Sequence, residues 1–181
     1  AVHLAGAPSA FGQGFHLLRV GLQGRAVDPA QRKPANLVFL VDVSGSMDEP
    51  TKLPLVKDML RSLVGKLTDA DTISIVTYSG RESVVLEPAR VTDKAKVLAA
   101  IDGLSAGGGT NGEGGIRKAY ALAEQVKLQQ QVDSVNRVIL CTDGDFNVGL
   151  TGNDLVSLIE QEREKGITLS TFGFGQGNYN A

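Results

Sequence analysis

Two stretches of the chain, NLVFLVDV from Asn36 and NRVILCTDGD from Asn136, run through aliphatic residues almost without a break and end in carboxylates. A strand that is apolar on both faces needs cover on both faces, which it finds in the middle of a parallel sheet flanked by helices. The segments around these runs supply the helices. LPLVKDMLRSLVGKL carries Leu55, Met59, Leu60, Leu63 and Leu67 at helical spacing. DKAKVLAAIDGL, with Asp93 near its start, IRKAYALAEQVKLQQQV, and NDLVSLIEQEREKG, closed by Gly166 at a C-cap position, read as three more helices.

TISIVTYSG and ESVVLEPAR are strands separated by only a few residues, which predicts an antiparallel hairpin, and ITLSTFGFG is a last apolar strand. GGGTNGEGG reads as a glycine-rich loop. The expected fold is α/β: an open, mostly parallel sheet with helices on both faces and one antiparallel hairpin strand. In such folds ligands bind beyond the carboxyl ends of the strands, where the strand order reverses. Asp42 and Asp143 both fall at such ends.

The first residues read differently. Residues 1 to 14 are rich in Gly and Ala and are expected to be poorly ordered. Phe15 to Arg25 alternates as a strand, with a phase slip at Leu17 and Leu18 that suggests a bulge. AVDPAQRKPA, with two prolines, reads as a linker. This divides the chain into a flanking segment over 1–35, with one strand and a linker, and a domain over 36–181.

Three loops offer oxygen ligands and neither nitrogen nor sulfur. DVSGS presents Asp42, Ser44 and Ser46; GGGTN presents Thr110; CTDGD presents Asp143. An all-oxygen set suits a hard divalent ion, Mg²⁺ or else Mn²⁺ or Ca²⁺. Two carboxylates roughly neutralise such an ion, and neutral hydroxyls leave it electrophilic, so a partner's carboxylate can complete its shell. Simpler roles exist for the same residues: Ser44 and Ser46 as caps of the following helix, and Thr110 as an N-cap. Asp48 and Asp145 read as solvated loop residues. DGDFNVG partly mimics a calcium loop, but its glycine falls one place late and Asp154 stands where glutamate is required.

At these residues the chain resembles the von Willebrand factor type A family, whose metal-ion-dependent adhesion site reads Asp-x-Ser-x-Ser, then a distant Thr, then a distant Asp. DVSGS, GGGTN and TDGD match in order and loop context, and the resemblance covers Asn36 to about Gly175. PANLVFLVDVSGSM, GGTNGEGGI and TDGDFNVG look like bacterial members, in which this domain sits inside a larger envelope-associated protein. The resemblance implies an open α/β sheet with the metal at its top. Ser44, Ser46 and Thr110 would bind through hydroxyl oxygen, and Asp42 and Asp143 directly or through water. It also implies an adhesion module whose protein ligand offers an acidic side chain, with a bacterial envelope, periplasmic or cell-surface location favoured over a cytoplasmic one.

Bulk properties narrow the function further. Net charge is −2 over 181 residues, so no basic field awaits nucleic acid, and tryptophan is absent. No apolar run reaches the roughly 18 residues a membrane span needs, so no direct membrane insertion is expected. Cys141, the only cysteine, excludes an internal disulfide and reads as a small buried hydrophobe. Enzyme motifs fail: GLSAG follows a helix and has only His3 and His16 in the chain, both before it, and GGGTNGEGG lacks the end of a phosphate loop. The expectation is therefore a metal-dependent protein-binding module and not an enzyme. The main alternative is a structural or assembly domain whose metal orders loops, with a metal-dependent hydrolase as a weaker one.

Ala1, in place of an initiating methionine, suggests a piece of a longer or processed protein. Ile167, Leu169 and Phe172 in the last strand need cover, which leads to the expectation of a further helix and strand beyond Ala181 or in a separate chain.

Overall fold

A computed structural model describes residues 2–12, 14–24, 31–109, 112–130, 133–144 and 152–175. The chain divides into two compact units, Ala1–Arg32 and Lys33–Ala181. In the first, β1 (Val2–Pro8) pairs antiparallel with β2 (His16–Leu22) in an unbroken register from Val2 opposite Leu22 to Pro8 opposite His16. This corrects two expectations. Residues 2–8 form a strand despite their small side chains, and β2 carries no bulge. The stabilising partner of VHLAGAP is a strand a dozen residues away, and cross-strand pairing leaves little local pattern.

The second unit holds a five-stranded sheet in the order β5-β4-β3-β6-β7. Its strands are β3 (Ala35–Asp42), β4 (Thr72–Tyr78), β5 (Glu82–Arg90), β6 (Val135–Thr142) and β7 (Ile167–Gly173). The helices are α1 (Leu53–Lys66), α2 (Lys94–Asp102), α3 (Gly112–Gln130) and α4 (Gly152–Glu164). All pairings are parallel except β4–β5. Every residue of β3 and β4 is buried, as the continuous aliphatic runs require.

Alternation along the strands sorts two cores. Leu37, Phe39, Val41, Ile73, Ile75 and Cys141 join one core with α1 and α2, while Val38, Leu40, Val76, Tyr78, Val138 and Leu140 join the other with α3. Leu155 and Leu158 of α4 pack against the second core. Burial pushes the Cys141 thiol up to about 12, as befits an inert core residue.

The bulge sought in β2 occurs in β5 instead. Ile73 pairs with Ala89 and Ile75 with Leu86, so Glu87 and Pro88 together face Ser74. Pro88 has no N–H for a ladder, and β5 is an edge strand where that loss is tolerated.

Two helices depart from expectation in phase or extent. The buried stripe of α1 is Leu53, Val56, Leu60 and Val64, continued by Leu67, while Leu55 is half exposed and Met59 and Leu63 only flank the core. Helix α3 begins at Gly112, inside the stretch expected to be loop. Glycine there serves close packing. A Cβ on Gly115 would lie 3.0 Å from Leu40 Cδ1 and 3.0 Å from Tyr78 Cβ, so α3 can press against β3 and β4 only because that atom is missing.

Gly115→Ala is therefore expected to lower stability by about 1–2 kcal/mol, although alanine alone would favour the helix by about 1 kcal/mol. Gly114→Ala meets only the movable carboxylate of exposed Glu82 and should be neutral or slightly stabilising. Thermal melts of the two variants check the contrast.

Helix α4 ends as expected, with Gly166 at φ +80° and its N–H donating to Arg163 O at 2.8 Å. β7 is the outermost strand on its side, with Ile167 buried and Phe172 exposed.

Candidate metal centre

The strand order reverses between β3 and β6: the chain runs outward through β4 and β5, then returns to the other side of β3 for β6 and β7. Asp42 ends β3, and Asp143 directly follows the adjacent β6. Both carboxylates thus lie at the carboxyl edge at the reversal point, where parallel sheets open a crevice.

Asp42 is fully buried and held by three donors. Ser44 N donates to its Oδ1 at 2.8 Å, and Tyr78 Oη and Thr142 Oγ1 donate to its Oδ2 at 3.0 and 3.4 Å. Tyr78 ends β4 directly opposite Asp42 in the parallel register. Burial, with the charge of Asp42 beside it, pushes the Tyr78 hydroxyl well above its ordinary pKa, so it remains a donor.

After Asp42 the chain turns through a single 3₁₀ turn, Gly45–Met47. Ser44 stands at its N-cap, yet its side chain makes no capping bond. The Ser44 hydroxyl instead shares a 3.1 Å hydrogen bond with the Ser46 hydroxyl. The capping role considered for Ser44 is thus absent from the geometry, and the two hydroxyls face one another.

Asp143 is also buried, and its Oδ2 accepts from Lys52 Nζ at 3.2 Å. Lys52 Nζ further donates to Ser46 O at 2.9 Å and pairs with Glu49 at 3.1 Å. Burial alone would lower the pKa of Lys52, but Glu49 and Asp143 outweigh it and the net direction is upward, so the ammonium stays charged.

The glycine-rich loop is bound to the DVSGS turn by the main chain. Gly45 N donates to Gly108 O at 3.1 Å, and Gly107 N donates to Val43 O at 2.7 Å. Thr110, Asp145 and Asn147 lie outside the described residues. Asp48 is exposed at the end of the 3₁₀ turn.

Tyr78, Thr142 and Lys52 belong to this cluster and escaped sequence reasoning. For Tyr78 a signal existed: a hydroxyl-bearing aromatic at the end of a strand beside β3. For Lys52 the only signal was a cation just ahead of a helix, where one is electrostatically unfavourable. Among the described residues no group of three or more His, Cys, Asp and Glu side chains comes together. The described cluster holds the carboxylates of Asp42 and Asp143, the hydroxyls of Ser44, Ser46, Tyr78 and Thr142, and the Lys52 ammonium.

Residues 36–181 match the family model of the von Willebrand factor type A domain. The chain belongs to that family. VWA domains are protein-interaction modules, and the described architecture is theirs. YfbK of Escherichia coli is 41% identical over 175 residues, which is 96% of this chain and 30% of that protein. The chain thus spans about a third of this relative.

Two of the solved structures that share the fold are metal-bound. Manganese-loaded TRAP of Plasmodium vivax has a TM-score of 0.61 at 23% identity, over 80% of this chain and 59% of that one. Proximal thread matrix protein 1 of the mussel byssus, with a zinc-occupied MIDAS motif, has a TM-score of 0.62 at 23% identity, over 78% and 36%. No described helix is long and apolar enough to cross a membrane.

Proposed function

We propose that this VWA domain is a metal-dependent protein-binding module, with Asp42, Ser44, Ser46, Thr110 and Asp143 holding one divalent cation whose shell a partner's carboxylate completes. The observation that carries this reading is the burial of two carboxylates beside the facing Ser44 and Ser46 hydroxyls at the strand-order reversal. The donor set fits a hard cation on charge as well as chemistry. Among the described residues the two buried carboxylates have one ammonium beside them, Lys52, and a divalent cation between them would offset the cost of burying their charge. Oxygen-only donors favour Mg²⁺, with Mn²⁺ and Ca²⁺ acceptable.

When bound, the ion supplies Lewis acidity toward an incoming carboxylate. The chain's own residues supply the rest. Tyr78, Thr142 and Ser44 N orient Asp42, and the turn at Gly45 brings both serine hydroxyls to one point. Among the described residues of the cluster, none is placed as a general base beside a nucleophile. The loops are already joined by Gly45–Gly108 and Gly107–Val43 backbone bonds, which argues against an ion whose main task is to order them. The resemblance to bacterial members supports an envelope location.

Calorimetry with Mg²⁺ and Mn²⁺ tests the site. Immobilised protein challenged with an acidic peptide library, with and without chelator, tests the module. Peptide capture is expected to vanish on chelation while circular dichroism stays unchanged. Capture that survives chelation, with a lowered melting temperature, would favour the structural role instead.

A further inference from the structure

Lys52 stands where local rules disfavour it. It is the N-cap residue of α1, a position that prefers Ser, Thr, Asp or Asn and sits at the positive end of the helix dipole. Its side chain makes no capping bond, and it is 10% exposed. A buried cation at a helix N-terminus persists only if other contacts offset its cost. Those contacts are Asp143 Oδ2, Ser46 O and Glu49 Oε1, and two of the three belong to residues assigned above to the metal.

We propose that the Lys52 ammonium is a tethered counter-ion of the site, which holds Asp143 when no divalent ion is bound and gives it up when one binds. This rests on the metal reading of the preceding section. A divalent cation within reach of both Asp143 and Ser46 repels an ammonium hydrogen-bonded to the same two residues. The two cations therefore compete for one carboxylate. Competition raises the metal concentration at which the module becomes adhesive, and it stabilises the metal-free fold by neutralising one buried charge. Glu49, exposed at the rim, gives the displaced ammonium a partner nearby.

The test compares wild type with Lys52→Met, which keeps the apolar stem and removes the charge. In calorimetry with Mn²⁺, Lys52→Met is expected to bind at least about fivefold more tightly. Its metal-free melting temperature should fall, and its metal-induced rise should exceed that of wild type. A second measurement needs no variant. Acetylation of Lys52 in the wild-type chain, followed by mass spectrometry, should rise severalfold when Mn²⁺ is added, because the side chain leaves its buried contacts.

Equal or weaker Mn²⁺ binding by Lys52→Met, or labelling unmoved by Mn²⁺, overturns the tethered counter-ion while leaving the metal site standing. No Mn²⁺ binding by wild type overturns the metal reading, and this inference with it.

Discussion

Asp42→Ala is expected to abolish measurable Mg²⁺ and Mn²⁺ binding, a loss of at least about 100-fold or about 2.8 kcal/mol. The carboxylate is fully buried at the end of β3, and its neighbours cannot replace its charge. The same change removes one acceptor from the Tyr78 hydroxyl, the Thr142 hydroxyl and Ser44 N, which all donate to Asp42. Unmatched buried donors cost about 1–3 kcal/mol each, but removing one of two buried negative charges offsets part of this.

A net loss of about 2 kcal/mol, or about 4–8 °C in melting temperature, follows for a domain of this size. Asp42→Asn keeps the shape and an acceptor oxygen, so it should lose metal equally with a smaller drop in stability. Calorimetry and thermal melts of both variants separate the two effects. Unchanged metal affinity in either variant would remove Asp42 from the site.

Asp71→Ala is expected to do the reverse: cost about 3 kcal/mol, or about 6–12 °C, and leave metal affinity untouched. Asp71 is fully buried just before β4, at the edge of the sheet opposite the proposed site. Its Oδ1 accepts from Ala35 N at 2.8 Å, and its Oδ2 accepts from Thr68 N at 2.7 Å and Thr68 Oγ1 at 3.0 Å. One side chain thus ties the start of β3 to the turn after α1. Alanine takes the acceptor from the buried Ala35 N and frees the turn at exposed Thr68 from its anchor. Asp71→Asn restores one acceptor and should recover about half of the loss. Denaturant melts, with Mn²⁺ titration at a temperature where the variant is folded, check both halves of the expectation.

Much of the fold was legible because the decisive signals are local. The runs at Asn36 and Asn136 are aliphatic on both faces, and β3 and β6 became neighbouring strands near the centre of the sheet. Asp93 accepts from Lys96 N at 3.0 Å, as an N-cap should. Where reading failed, competing solutions had similar local patterns. In α1, Leu55 and Val56 are both apolar neighbours, and only the position of the sheet decides that Val56 is buried and Leu55 half exposed. In GGGTNGEGG, glycine abundance suggested loop, yet the last four residues are helical because α3 must approach Tyr78 without a Cβ in the way.

The proposed site divides along the same line. By itself the sequence determined the apolar strands, the carboxylates that end them and the hydroxyls of DVSGS, since each is written in consecutive residues with a period or a turn to mark it. Only the tertiary structure decided what surrounds them. Tyr78 reaches Asp42 from 36 residues away, Thr142 from 100, and Lys52 reaches Asp143 from 91. Such contacts follow from parallel register and crossover direction, which bring strand ends together in space without any spacing in the chain to announce them.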